Sequence, residues 1–303
     1  MANSLDLEIA GIRFSVERGK CFFLQQPEPA YRSFLEEGDR DPARMPADIR
    51  IRLQPGHIPG IEKLDKFFDS GQSWSMFQDG TDRVIALKPP GFDQPFWVAR
   101  MKPNFAEATI YLSERMVNRK NGRIVLSNPV SYPLDQILLM YTLARRRGAL
   151  LHAAGIEVDG KGYIFPGKSG AGKSTITGQF ASKKKIGLIS DDRIVVRKMD
   201  GGFRAYGTPW PGEAGIAFNK DVALSGIFFL HHGPANRIKE IALQEGLERI
   251  LPVTSIPWYD REIMPRILAF CEDLISHVPL YELCFKPSVE VVDVFEQFIA
   301  ARP

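Results

Sequence analysis

The feature that most constrains this chain is the segment GKSGAGKS, from Gly167 to Ser174. It fits the pattern G-x-x-x-x-G-K-[ST] in full, with a strand-like segment before it and a plausible helix after it. The glycines let successive backbone N–H groups point into one concavity, and the helix N-terminus adds partial positive charge. The sequence therefore predicts a strand, a phosphate-binding loop (P-loop) and a helix within an α/β domain. A glycine-rich turn without a ligand is the alternative, which the flanking strand and helix disfavour.

The loop pattern predicts which residues contact a nucleotide. Lys173 is expected to reach the β- and γ-phosphates, and Ser174 offers a hydroxyl to Mg²⁺. The predicted nucleotide-binding residues are Gly167, Ser169, Gly170, Ala171, Gly172, Lys173, Ser174 and Thr175.

A P-loop alone does not identify a reaction, because motors, switches, transporters and kinases share it. The signature LSGGQ of transporter ATPases is missing, since ALSGIFF lacks the second glycine and the glutamine. The guanine-reading pattern N-K-x-D is also missed, because NKDV has valine where the aspartate is required. Other residues must therefore indicate the chemistry.

Two carboxylates follow the next predicted strand. The apolar run IGLIS reads as a buried strand and ends in Asp191-Asp192. We expect this strand to lie beside the strand before the P-loop and parallel to it, which places both carboxylates near the phosphates. One can bind Mg²⁺ and the other can accept the proton of an attacking hydroxyl. A helix cap or turn is the structural alternative.

His152 lies on a strand that is predicted to pair, through the turn DGKG, with the strand before the P-loop. An antiparallel hairpin places it near the phosphates, where it can hold or tune an aspartate. A histidine that stands alone on a strand is more often structural, so both interpretations stay open.

Further candidates lie downstream. The loop YGTPWPGE can place Trp210 and Glu213 on the acceptor or magnesium side of the cleft, with a structural turn as the alternative. For His231 and His232, after the strand GIFFL, a strand-end loop is favoured over phosphate contact. Three arginines are candidates for stabilising the transferring phosphoryl group: Arg193, Arg204 and Arg237.

Hydrophobic periodicity predicts two domains. Residues 1–130 alternate polar and apolar side chains in segments such as IRIRL and RVIAL, which predicts an antiparallel, β-rich domain. Leu134, Ile137, Leu138 and Tyr141 then follow helical spacing. Residues 131–303 alternate short strands and helices, which predicts an α/β domain with a mixed sheet.

Composition excludes several classes. The net charge is only +3, with 39 basic and 36 acidic residues, so we expect no nucleic-acid partner. The three cysteines match no metal or disulfide spacing, and neither a signal peptide nor a membrane-spanning segment is evident. We therefore expect a cytoplasmic protein without a membrane partner.

Taken together, LLHAAGIEVDGKGYIFPGKSGAGKST and GLISDD resemble the catalytic domain of the HPr kinase/phosphorylase family, which shares its fold with the phosphoenolpyruvate carboxykinases. The resemblance implies an α/β P-loop domain of that type, binding of ATP and Mg²⁺, and a serine hydroxyl as acceptor. It implies a proton-transfer couple of His152 with one aspartate. Asp191, beside His152, is the implied base and Asp192 the implied magnesium ligand, with the reverse order still open.

Two departures from that family narrow the expectation. Where the family carries a signature resembling E-x-R-G-x-G, this chain keeps Glu213, Gly215 and Ile216 but has no arginine between them. The N-terminal half of the sequence also does not resemble that family's regulatory domain. The resemblance therefore points to diverged relatives that phosphorylate other serine acceptors.

The function predicted from the sequence is an ATP- and Mg²⁺-dependent kinase acting on a serine of a peptide, a protein or a small molecule. Its predicted catalytic residues are Lys173, His152, Asp191 and Asp192, and its predicted magnesium ligands are Ser174, Asp192 and Glu213. A nucleotide-binding regulatory or assembly protein that transfers nothing is the alternative. Homo-oligomerisation is left open.

Overall fold

The computed structural model describes residues 4–17, 22–24, 28–36, 46–120, 123–126, 128, 130–183 and 185–302. The chain forms two compact units, Met1–Thr142 and Leu143–Pro303. This division falls within helix α1, Leu134–Arg145, whereas the hydrophobic periodicity predicts a boundary between residues 130 and 131, just before that helix.

The first unit is built from β-strands. Its larger sheet has the strand order β1-β2-β4-β9-β8-β7-β6-β5, and a smaller sheet has the order β10-β11-β3. The strands are β1 Ser4–Ile9, β2 Ile12–Glu17, β3 Phe22–Leu24, β4 Ile49–Pro55, β5 Asp65–Asp69, β6 Trp74–Asp79, β7 Asp82–Leu87, β8 Trp97–Met101, β9 Glu107–Leu112, β10 Val117–Lys120 and β11 Arg123–Leu126.

The expectation of an antiparallel first domain is only partly correct. The pairs β2–β4, β4–β9 and β11–β3 are parallel, while the hairpins among β5 to β9 are antiparallel. Parallel neighbours need long crossover connections, and turn signals in the sequence do not reveal where such connections return.

Alternating burial explains why these segments form strands. In β4, Ile49, Ile51 and Leu53 are buried, whereas Arg50 and Arg52 are exposed. Such period-two alternation places one face of a sheet on a core and the other in solvent.

One face of helix α1 is buried in apolar contacts. Leu134, Leu138 and Tyr141 are fully buried, as their helical spacing predicts. The Tyr141 ring stacks on Phe105, with ring centroids 3.9 Å apart and planes inclined by 14°.

The second unit is a mixed sheet with helices. Its strand order is β13-β12-β15-β16-β17-β19-β18, β13 also pairs with β17, and β14 pairs with β12. Its strands are β12 Gly148–Val158, β13 Lys161–Pro166, β14 Gly187–Ser190, β15 Arg193–Met199, β16 Gly202–Gly207, β17 Asp221–His232, β18 Arg237–Glu240 and β19 Leu280–Phe285. Its helices are α2 Lys173–Ala181, α3 Leu243–Ile250, α4 Met264–His277 and α5 Glu290–Ala300.

The hairpin β12–β13 has the tight turn that its sequence predicts. Asp159 and Gly160 both have positive φ, 51° and 77°, as a two-residue type I′ turn requires. Ala153 lies opposite Pro166, and the Gly167 amide donates to the His152 carbonyl over 3.0 Å. The histidine position is thereby fixed at the start of the P-loop.

The strand β14 lies in a different place from the expected one. It pairs with β12, not with the P-loop strand β13. Because β13 and β14 are both antiparallel to β12, they run parallel to each other with β12 between them. Both therefore end at the same edge of the sheet, as the prediction for the carboxylates required.

An aromatic core supports the P-loop from one face of this sheet. Phe165 on β13 and Phe180 on α2 have ring centroids 5.3 Å apart, and Phe295 on α5 packs 5.1 Å from Phe180. All three side chains are fully buried, so the strand and the helix that flank the P-loop share one apolar cluster.

Among the residues described, no helix is both long and apolar enough to cross a membrane.

Substitution of Gly207 tests the packing of β16 in this fold. An added Cβ there would lie 2.0 Å from the Phe218 carbonyl oxygen, in the segment whose Ala217 bridges to Ser190 of β14. We expect Gly207→Ala to destabilise the protein by roughly 1–3 kcal/mol, because backbone must move to admit the methyl group. Denaturant unfolding measures the effect.

Gly201 is the matched control, since it lies in the adjoining turn with no atom within 4 Å of its added Cβ. Gly201→Ala should change the free energy of unfolding little. Equal effects of the two substitutions would contradict the packing described for β16.

Candidate functional site

A cavity of ≈ 770 Å³ lies over the P-loop in the second unit. This volume is within the range of about 300–1,000 Å³ that is usual for small-molecule sites. Its lining residues are His152, Ser169, Gly170, Gly172, Lys173, Ser174, Thr175, Asp192, Gly212, Glu213 and His232. Most of the residues predicted for the site are therefore brought together.

Two glycines give the loop its shape. Gly170 and Gly172 have φ values of 82° and 97°, a backbone conformation that directs successive N–H groups into one concavity. Gly172 is also tightly packed, since an added Cβ would lie 2.7 Å from the Phe285 ring and 2.9 Å from the His232 ring. The loop therefore requires glycine here for conformation and for space.

The other two predicted loop residues face elsewhere. Gly167 and Ala171 line a second cavity of ≈ 310 Å³, together with Phe229, His231 and Arg249. These two loop residues do not line the main cavity.

Lys173 begins α2 and is 6 % exposed. Its ammonium Nζ donates to the carbonyl oxygens of Gly167 at 2.9 Å and Lys168 at 3.4 Å. Burial lowers the pKa of Lys173 below its usual value, and the Asp192 carboxylate, 3.9 Å from Nζ, opposes part of that shift. The lysine thus brings a positive charge to the floor of the cavity.

Asp192 is the carboxylate that His152 contacts. Nε2 of His152 lies 2.6 Å from Oδ1 of Asp192, and the Arg193 guanidinium lies 3.6 Å from Oδ2. Burial raises the pKa of Asp192, but the hydrogen bond to His152 and the nearby cations outweigh it, so the net pKa lies below the usual 3.8. The carboxylate is therefore ionised at neutral pH.

Asp191 has a different environment. It is 1 % exposed, and its two oxygens accept the backbone N–H groups of Gly212 at 2.8 Å and Ala214 at 2.7 Å. The expectation that Asp191 lies beside His152 is corrected by this geometry. Both residues lie in the bend between β14 and β15, and only Asp192 contacts the histidine.

Asp191 instead holds the loop that carries Glu213. The two amides that it accepts flank Glu213, whose side chain is exposed and lines the main cavity. Trp210, expected beside Glu213, is buried and does not line this cavity. Of the three candidate arginines, Arg193 is the one that contacts Asp192, while Arg204 pairs with Asp221.

The donor set fits magnesium. Ser174, Asp192 and Glu213 all line the main cavity and supply one hydroxyl and two carboxylates. Mg²⁺ is usually held by one or two carboxylates with phosphate oxygens and water. Within the described part of the chain, no three or more His, Cys, Asp or Glu side chains form a cluster that would hold a metal ion alone.

The two described cysteines, Cys271 and Cys284, do not line the main cavity. Cys271 and Cys284 are buried free thiols, and burial raises the pKa of Cys271 to about 11. Cys21 lies outside the described residues.

Part of this chain matches a known family model. The family described as SynChlorMet cassette protein ScmC matches residues 134–250, which is less than half of the chain. No curated protein matches. The matched region includes the P-loop, both aspartates and Glu213, so this chain is similar to that family across most of its site.

This finding overturns the resemblance to the HPr kinase/phosphorylase family. The matching model is the ScmC one, and no HPr kinase family model matches. Short motifs around a P-loop recur in unrelated proteins, which is why they misled. Roles carried over from that family lose their support, so any role must rest on the geometry of this site.

Gly172→Ala should destabilise the protein, because its left-handed conformation costs a residue with a Cβ about 1–2 kcal/mol and the ring contacts add to that cost. Gly178→Ala is the control in the same helix, since no atom lies within 4 Å of its added Cβ. Alanine is the better helix former, so this variant should be neutral or slightly more stable. Thermal unfolding of both variants checks the prediction, and a stable Gly172→Ala protein would contradict it.

Removing His152 should raise the pKa of Asp192. In His152→Ala the hydrogen bond that lowers the pKa is lost while much of the burial that raises it remains. Carbon-13 NMR of the labelled carboxylates measures the titration. Asp69, whose pKa is lowered to about 2 by its own contact with Lys66, is the internal control and should not change. An unchanged Asp192 would contradict the assigned pair.

Proposed function

We propose that this protein is an ATP- and Mg²⁺-dependent phosphotransferase that moves the γ-phosphoryl group of ATP to a hydroxyl. The acceptor class is a serine of a peptide or protein, or a small-molecule alcohol. One observation carries the proposal. The ionised Asp192 carboxylate, paired with His152, lies 3.9 Å from the ammonium of the P-loop lysine in the same cavity.

Phosphate binding and proton transfer are assigned to different groups of the site. Backbone N–H groups of the loop and the Lys173 ammonium bind phosphate oxygens and neutralise charge that develops on them. Asp192 orients the acceptor hydroxyl and takes its proton as the hydroxyl oxygen bonds to the γ-phosphorus. The bond from that phosphorus to the β,γ-bridging oxygen breaks, and ADP leaves with the electron pair.

His152 supports this step by orienting the carboxylate. Its ring N–H donates to Oδ1 of Asp192. The other carboxylate oxygen, Oδ2, lies near Arg193 and can accept from a hydroxyl. A lowered pKa keeps Asp192 ionised, so it is ready to accept a proton at neutral pH. The reaction then needs positioning more than a strong base.

Magnesium would be held by Ser174 and the Glu213 carboxylate, because His152 contacts Oδ1 of Asp192 and the proposed acceptor hydroxyl faces Oδ2. When bound, it supplies positive charge to the β- and γ-phosphate oxygens. Asp191 contributes indirectly, because its bonds to Gly212 and Ala214 fix the loop that presents Glu213.

We also propose that the protein acts in the cytoplasm. The buried free thiols of Cys271 and Cys284 support a reducing compartment.

Asp192→Asn should abolish transfer while leaving ATP binding largely intact. The amide keeps the size of the side chain but cannot take a proton, so we expect a loss of roughly 100-fold or more. The measurement is transfer of label from γ-labelled ATP with Mg²⁺ into an extract of the source organism, with hydrolysis of ATP followed in parallel. Binding is measured by titration calorimetry.

Asp200→Asn is the matched control, since Asp200 is exposed in the turn after β15 and Asp192 stands just before that strand. Lys173→Ala should lose both binding and transfer. If wild type binds ATP with Mg²⁺ but labels no acceptor above the level of Asp192→Asn, the transferase proposal fails. A nucleotide-binding regulator is then the better description.

A further inference from the structure

The main cavity has different chemistry on its two sides. The P-loop strand β13 lies between β12 and β17. On the β12 side stand His152 and Asp192. On the β17 side, His232 ends β17, and Phe285 ends the neighbouring strand β19. An ionised carboxylate therefore faces an imidazole and a phenyl ring across the P-loop.

His232 is held in place and remains accessible. Its ring lies 4.9 Å from the Phe285 ring, with planes inclined by 38°, and it packs against Gly172 at the start of α2. It is exposed and lines the main cavity. Phe285 is fully buried, so the imidazole rests on a rigid support.

This arrangement determines which end of a bound nucleotide lies near Asp192. The proposed transfer requires the γ-phosphate to lie near Asp192, on the β12 side. The phosphate chain follows the loop amides toward Ser174 and Thr175, which also line the cavity. The nucleoside end must then lie away from Asp192, toward the ends of β17 and β19.

Resting on the proposed function, we infer that His232 on Phe285 forms the surface on which the nucleobase stacks. A planar imidazole offers a face to any base, and stacking of this kind tolerates different bases. The site is thus a nucleobase subsite for a nucleoside triphosphate, formed where β17 and β19 end.

His231 provides a matched control from the adjacent position. Successive residues of a strand point to opposite faces, and His231 lines the smaller cavity with Phe229 and Arg249 instead. Both histidines are exposed, so replacing either one removes a similar surface group.

The test measures binding of ATP, ADP and inorganic tripolyphosphate, each with Mg²⁺, to the full chain by titration calorimetry. His232→Ala should weaken ATP and ADP about tenfold, as expected for loss of one base-stacking contact. Tripolyphosphate has no base, so its affinity should not change. His232→Phe should restore ATP binding, and His231→Ala should bind all three ligands as wild type does.

The outcomes separate this inference from the proposed function. If His232→Ala weakens ATP and tripolyphosphate equally, or weakens neither, the nucleobase subsite is overturned while the phosphate cradle stands. If wild type binds neither ATP nor tripolyphosphate, the proposed function fails together with the inference. Circular dichroism of each variant identifies a loss of binding that comes from misfolding, and His232→Phe then serves as the folded comparison.

Discussion

The register of the hairpin β12–β13 is the constraint on which the rest of the site depends. The turn at Asp159 and Gly160 sets that register, and it brings the His152 carbonyl to the Gly167 amide. A shift by one residue would turn His152 to the other face of the sheet, because side chains alternate along a strand. The P-loop and the histidine thus share one local element, and Asp192 joins them through the pairing of β15 with β12.

Two adjacent aspartates have different partners and therefore different roles. Asp191 is buried and bound by two backbone amides, while Asp192 is partly exposed and paired with His152. The sequence predicted that both lie at the phosphate edge, and they do. It could not show which one reaches His152, because that depends on how β14 and β15 curve past β12. For His231 and His232 the sequence favoured a strand-end loop, whereas both lie in β17 and His232 lines the main cavity. The residue pair HH after an apolar strand does not show which face each side chain takes.

Much of the fold was predictable where periodicity is strong. The predicted strands IRIRL and RVIAL lie within β4 and β7, and IGLIS contains β14. Short strands were not predicted, among them β3, β5, β10 and β18. Apart from the hairpin β12–β13, strand neighbours were harder to predict, since the parallel pairs of the first unit and the position of β14 depend on contacts between distant segments. The same limit explains the mistaken family resemblance, which rested on a few contiguous motifs.

The contacts of Lys173 have a consequence for ligand selectivity. Its ammonium already donates to the carbonyl oxygens of Gly167 and Lys168. A phosphate oxygen that binds this lysine exchanges with those carbonyls, so the affinity gained is a difference between two sets of hydrogen bonds. A singly charged anion gains little from such an exchange, whereas a polyphosphate also engages the loop amides and keeps a large net advantage. Under the proposed function, these carbonyl contacts of Lys173 would therefore favour a polyphosphate over a small anion.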